Sequence, residues 1–371
     1  MKEHKRLESL DILRGLDLFL LVFFQPVFKG LARELKLPIL DPVVEQFSHV
    51  HWEGFATWDI IMPLFMFMAG VSMPFSLKKY TGPSQPKGKV YLRIFKRFIL
   101  LFLLGMVVQG NILSLDPNRI YLYSNTLQAI ASGYIITALI YLWGGAKGVT
   151  IGLVAMFIIY WLPMSIVGDF TPDGNFAEQV DRMILGRFRD GVSVQPDGSW
   201  SFSPHYRYTW VWSSLNFAVT VMLGFITGHT MQKYSTDGKK IVKILLGAGT
   251  ILILAGLLLS LQMPIIKKIW SSSMTLFSGG ICVLLMAIFY YIIDYKGWKK
   301  GFSWLKIYGM NSIAAYIIGQ VVDFRCVADS VTHGLQQFMG DYYDVWLTFA
   351  NYLILFFILR GMYKAKIFLK V

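Results

Sequence analysis

Long apolar runs recur along this chain and limit what it can become. About ten stretches of roughly 17 to 25 residues, the length that crosses about 30 Å of hydrocarbon, begin near residues 10, 57, 97, 123, 149, 209, 243, 271, 305 and 346. In hydrocarbon a backbone has no water to bond, so segments of this kind fold as helices that satisfy their own amides. The chain of 371 residues is 55% hydrophobic and 15% charged, with a mean hydropathy of +0.52, more apolar than a soluble core requires. The expected fold is an all-α polytopic membrane protein of about ten transmembrane helices, forming one domain over residues 1–371.

Charge placement gives an independent orientation, because Lys and Arg are retained on the cytoplasmic side. With ten crossings and the N-terminus inside, most basic residues fall on that side. They include Lys2, Lys5 and Arg6; Lys78, Lys79, Lys87, Lys89, Arg93, Lys96 and Arg97; Lys233, Lys239, Lys240 and Lys243; Lys299 and Lys306; and Arg360, Lys364 and Lys370. Acids such as Glu34, Glu45, Glu53, Asp169, Asp181 and Asp344 fall outside. Both termini are therefore predicted to be cytoplasmic. The net charge of +13 records topology, and nucleic acid is not implied. Asp11, Arg14 and Asp17 within the first run, and the lack of a small-residue cleavage site, predict a retained helix in place of a signal peptide. A basic inner loop at about 78–97 and outer loops at about 32–56 and 166–208 are long enough to shape a site. Cys282 and Cys326 fall at different depths, and no Cys or His spacing suits zinc, so no disulfide and no metal are expected.

One polar stretch stands out. His49-Val50-His51-Trp52-Glu53-Gly54-Phe55-Ala56-Thr57-Trp58-Asp59 sits immediately ahead of an apolar run. The i,i+2 spacing sends the two imidazoles in different directions, which disfavours a shared metal. An imidazole exchanges protons near neutral pH, so one of the pair is a candidate general base or nucleophile, and Asp59 a candidate to orient it. Interfacial anchoring by His and Trp is the competing explanation. Asp11 and Arg14 form an i,i+3 pair on one helical face, either a helix-entry charge pair or a place where Arg14 meets an anionic ligand. Gln25, followed by Pro26, is either interhelical glue or a polar group at the depth of His49.

Several blocks resemble one family. Arg6-Leu7-Glu8-Ser9-Leu10-Asp11-Ile12-Leu13-Arg14-Gly15, then His49-x-x-Trp52-x-Gly54-x-x-x-x-Asp59-x-x-x-Pro63 and Gly70-x-Ser72, look like the start of the heparan-alpha-glucosaminide N-acetyltransferase family and its bacterial relatives, including the DUF5009 group. Leu127-Gln128-x-Ile130-Ala131, Gly168 to Asn175 through Asp181-Arg182, Pro264 to Ser273, and Gly309-Met310-Asn311-Ser312 through Tyr316 continue the series. The resemblance implies an acyltransferase that takes acetyl from cytoplasmic acetyl-CoA and delivers it to a sugar amine or hydroxyl on the outer face. It also implies that His49, in preference to His51, is catalytic, with Asp59 beside it. Gln25 maps to the family's acetyl-CoA region, and Asn311 and Ser312 to a block lining the same cavity, with Arg14 expected near the nucleotide end along with Arg93 or Arg97. His51, Trp52, Glu53 and Trp270 are the residues expected to face the acceptor. Two departures bear on that acceptor: Ala129 replaces an Arg, and Tyr208 to Asn216 replaces an acidic segment, a change that suits either sugar stacking or interfacial anchoring. Expected partners are a small-molecule or glycan acceptor and the lipid bilayer of a bacterial inner membrane, with a homodimer allowed. The alternative is a secondary transporter of a small polar or anionic solute.

Overall fold

Each of the ten apolar runs lies in helix in the computed structural model, which describes residues 7–80, 87–203 and 208–369. Lys2, Lys5, Arg6, Arg207 and Lys370 lie outside the described residues. Helix α1 (Glu8–Phe19) runs through a π turn, Leu20–Phe24, into α2 (Gln25–Leu35). The ladder widens just ahead of Pro26, which has no N–H to donate. A left-handed residue, Lys36 (φ 50°), ends the helix. Then come α3 (Asp41–Gln46) and a 3-10 turn, Thr57–Ile60, leading into α4 (Ile61–Leu77).

Helix α5 (Lys87–Val108) begins inside the stretch 78–97, so the basic inner loop is shorter than predicted. Lys and Arg are good helix formers whose long stems reach an interface from within a helix, so basic charge alone does not mark a loop. In α6 (Thr126–Ile166) the side chain of Asn125 caps the start by accepting from the N–H groups of Leu127 and Gln128. Those 41 residues are two helices broken at Gly145 (φ 61°, ψ −158°). A Cβ on Gly152 would meet Ile140 Cδ1 at 3.0 Å. Twelve residues of straight helix would separate those positions by about 18 Å, so the chain turns back on itself.

The stretch predicted as a large outer loop has regular structure among its described residues. It carries α7 (Phe176–Leu185) and an antiparallel hairpin of β1 (Val192–Val194) and β2 (Trp200–Phe202), with Val192 opposite Phe202. Helices α8 (Ser214–Lys233), α9 (Gly238–Leu259), α10 (Ser272–Phe289, continued by a π turn to Tyr295), α11 (Ser303–Met310), α12 (Ser312–Val321), α13 (Arg325–Thr332), α14 (Gln336–Met339) and α15 (Tyr342–Lys364) complete the chain. Among the described residues, five helical stretches are long and apolar enough to cross a membrane: Thr57–Leu77, Thr126–Ile166, Gly238–Leu259, Ser272–Tyr295 and Tyr342–Lys364.

The residues gather into two units. One comprises the N-terminal segment to His49, Ala56–Ile61 and the chain from Ile288 onward. Within it α1 and α11 touch backbone to backbone: a Cβ on Gly15 would lie 1.8 Å from the Leu305 carbonyl oxygen, and one on Gly309 1.8 Å from that of Asp11. Only hydrogen fits there, the small-residue packing used where lipid supplies no hydrophobic drive between helices. The other unit comprises Val50–Phe55 and Met62–Ala287. Its core holds Met66, Met73, Tyr134, Phe217 and Phe225 between α4, α6 and α8.

Candidate functional site

The His49 segment is held in place by polar bonds within the first unit. Gln25 Nε2, at the end of the π turn, donates to the Phe47 carbonyl at 2.9 Å. Gln46 Oε1 accepts from the N–H and the hydroxyl of Thr57, at 3.0 and 2.9 Å, joining the two sides of the loop. The Phe47 ring packs against Phe24, Phe28 and Trp58, with centroids 5.3, 5.3 and 5.9 Å away. Gln25 thus reaches the neighbourhood of His49, as its depth in the sequence predicted, and does so through the backbone two residues away.

Asp59 lies in the turn that opens the helix continuing as α4. Its Oδ2 accepts the Ala56 N–H at 3.0 Å, and its Oδ1 lies 2.7 Å from His49 Nδ1. The Asp59 side chain is 1% exposed and that of His49 is 43% exposed. An ionised carboxylate only accepts, so opposite one His49 Nδ1 is the donor, and in the neutral imidazole Nε2 then keeps the lone pair. An accessible imidazole oriented by a buried acid can take a proton or accept an acyl group. His51 is exposed and has no hydrogen-bond partner among the described residues.

Trp52 and Glu53 belong to the second unit, with Glu53 exposed and Trp52 half-buried. Trp52 Nε1 donates to the Phe170 carbonyl at 2.8 Å, and the Gly54 N–H to that of Ile265, also at 2.8 Å. Three sequence blocks that are far apart along the chain therefore meet. Trp270, expected to face the acceptor, is only 2% exposed. Its indole N–H reaches Thr220 Oγ1 at 3.2 Å and its ring meets Phe217 edge to face. That is the environment of a core residue.

The cofactor candidates of the first unit divide in the same way. Asp11 is buried and Arg14 half-buried, one turn apart on α1. Asn311 is fully buried at the α11–α12 junction, where its Nδ2 donates to the Ile367 carbonyl (3.1 Å) and its Oδ1 accepts the Leu369 N–H (3.2 Å), tying down the C-terminal segment. Ser312, half-buried, opens α12. In the second unit the Arg97 guanidinium lies 4.2 Å from the Tyr134 ring centroid, and Arg93 donates to the Tyr80 hydroxyl. Among the described residues no group of three His, Cys, Asp or Glu gathers to hold a metal.

Two features escaped the sequence. Asp17 is 1% exposed, and neither carboxylate oxygen has a hydrogen-bond partner among the described residues. Its signal was an acid in the middle of an apolar run. The second is a buried charge cluster in the 166–208 stretch. Asp181 accepts the N–H groups of Trp210 (2.7 Å) and Val211 (2.9 Å), while Glu178 pairs with Arg182 (2.7 Å) and with the fully buried Arg189. Burial pushes the Asp181 carboxyl up to about 7, against the pull of the two N–H bonds and of Arg189. The indole of Trp210, 4% exposed, donates to Asp190 at 3.0 Å, and Trp212 meets Phe176 edge to face. The aromatics that replace an acidic segment are packed as struts.

Residues 6–172 match the family described as heparan-alpha-glucosaminide N-acetyltransferase, catalytic. The chain as a whole is 23% identical to the human heparan-alpha-glucosaminide N-acetyltransferase over 86% of its own length and 53% of the human protein. The same enzyme of Mus musculus is also 23% identical, over 86% of this chain and 54% of the mouse protein. The chain spans about half the length of the curated relatives it matches. The matched segment contains the His49–Asp59 pair, and the alignments with both relatives extend over most of the chain, so the chain is similar to heparan-alpha-glucosaminide N-acetyltransferases well beyond that segment.

Proposed function

We propose that this protein is a transmembrane acyltransferase that moves acetyl from acetyl-CoA, bound from the cytoplasmic side, to a sugar amine or hydroxyl on the outer face of a bacterial inner membrane. The observation that carries this reading is the His49 Nδ1 to Asp59 Oδ1 contact of 2.7 Å, with the imidazole accessible and the acid buried. The printed names of the relatives, both N-acetyltransferases, favour acetyl as the group moved. Ten crossings with both termini inside fit the helices and the charge pattern together. They are α1 with α2, α4, α5, the two halves of α6, α8, α9, α10 with its π turn, α11 with α12, and α15.

Two routes use the same group. In direct transfer, His49 Nε2 takes the acceptor's proton as its nitrogen or oxygen bonds to the acetyl carbon. The C–S bond breaks, and the CoA thiolate leaves and is protonated. In the stepwise route Nε2 itself bonds to the acetyl carbon, CoA departs, and the acceptor displaces the imidazole. Arg14 and Gln25 are assigned to the acetyl-CoA path, and His51, Trp52 and Glu53 to the acceptor side.

The test uses the full-length protein in proteoliposomes with labelled acetyl-CoA and a panel of amino sugars, neutral sugars and glycan fragments. Wild type is expected to release CoA and label an acceptor, and His49→Ala to fall about 10³-fold. His49→Gln, which can still donate an N–H to Asp59, separates chemistry from folding. Transfer at the wild-type rate by either variant overturns the reading. Solute flux without CoA release replaces it with a secondary transporter.

A further inference from the structure

A cleft of about 540 Å³ opens at one end of the first unit, lined from α1, α11 and α15 and from the segment before α11. On α15, Phe356, Arg360, Tyr363 and Lys364 recur at i, i+4, i+7 and i+8, so all four share one helical face. Descending that face from Lys364 to Phe356 covers eight residues, about 12 Å, and passes from cations to an aromatic ring. Ile12 and Ile307 extend the apolar end. The polar end holds four cations, Lys299, Lys306, Arg360 and Lys364, against one carboxylate, Glu8.

The charges are not evenly matched. Glu8 pairs with Lys299 at 3.1 Å and with Lys306 at 3.7 Å. Arg360 and Lys364 have neither an ion pair nor a side-chain hydrogen bond among the described residues. Exposed basic residues at a helix end are ordinarily solvated. Here they stand over a recess with an apolar floor, at the end of a helix long and apolar enough to cross a membrane. Trp304, 38% exposed, lies beside them in the manner of an interfacial anchor.

We propose that this cleft binds an anionic phospholipid, its phosphate between Arg360 and Lys364 and the upper part of an acyl chain along Ile12, Ile307 and Phe356. Basic pockets between helices at a membrane surface recognise phosphate headgroups by this combination of charge and depth. A soluble nucleotide or inorganic phosphate would satisfy the cations and leave the apolar floor uncovered. The inference is independent of acyl transfer, because it is read by lipid retention.

Native mass spectrometry of the full-length protein, exchanged from detergent into mixtures of phosphatidylglycerol and phosphatidylcholine, tests it. Wild type is expected to retain one phosphatidylglycerol in preference to phosphatidylcholine. The double variant Arg360→Gln/Lys364→Gln, altered at two exposed positions, is expected to lose that preference by about 30-fold, at about fivefold per cation. Lys239→Gln/Lys240→Gln, which removes two cations from the second unit, should leave it intact. Equal retention of both lipids, an unaffected double variant, or an equal loss in the control pair overturns the proposal. Displacement of the retained lipid by millimolar inorganic phosphate or CoA also overturns it, by assigning the cleft to a soluble anion.

Discussion

Two buried carboxylates in this protein both accept backbone N–H groups but face different surroundings. Asp59, in the turn that opens α4, accepts the Ala56 N–H, and Asp181, within α7, accepts those of Trp210 and Val211 in the segment that precedes α8. The difference lies in the next atom out. Asp59 contacts an imidazole that is 43% exposed, whereas Asp181 is shut in with Trp210, Val211 and the Glu178–Arg189 pair. Burial of an acid is therefore a poor guide to chemistry unless an accessible, titratable partner faces it. The first arrangement suits proton or acyl transfer and the second fixes a large loop.

Substitutions can break that comparison. The largest effect is expected at His49, where replacement removes the group proposed to react. Asp59→Asn should follow, lowering kcat about 10²-fold with little change in KM, because the imidazole loses both its orientation and the charge that stabilises its cation. Unchanged kcat in labelled acetyl transfer would reduce Asp59 to a helix cap. Asp181→Asn should leave kcat per folded molecule alone and cost about 1–3 kcal/mol of stability, since one backbone N–H loses its acceptor.

The Asp181 variant also carries a pH signature. The folded carboxyl titrates near 7 and the unfolded one near about 3.9. Between those values the folded state holds a proton that the unfolded state has released, so this group's stabilising contribution declines as pH rises from about 4 to about 7. Thermal melts across that range should show the decline in wild type and its loss in Asp181→Asn. Parallel melting curves for the two proteins would show that Asp181 does not titrate as its burial implies. The smallest effect belongs to His51→Ala, expected to raise the acceptor KM less than about fivefold and to leave kcat unchanged. A loss as large as that at His49 would overturn the choice between the two histidines.

The apolar runs and the basic clusters made the helices legible, because the requirement that backbone amides be satisfied in lipid leaves few alternatives. Loop limits were less legible. Lys87 to Arg97 are basic enough to mark an inner loop yet begin α5, since Lys and Arg are good helix formers and basic charge alone does not mark a loop. At the site, the motif and the family resemblance picked out His49 and Asp59, and the short spacing between them made their meeting plausible. Trp270 and Asn311 also stood in strong blocks, but their polar groups are spent on Thr220 and on the backbone of Ile367 and Leu369. A motif records that a residue type is required without saying whether packing or chemistry requires it.

By itself, the sequence determined the helical, apolar class of protein and which polar residues interrupt its apolar runs. These follow from composition and period, which are properties of neighbouring residues. Only the tertiary structure decided that the imidazole of His49 points its Nδ1 at a buried acid, that Asp181 is walled in, and that Arg360 and Lys364 overlook an apolar recess. Those facts depend on contacts between distant segments, and burial and hydrogen-bond partners are set by which segments meet.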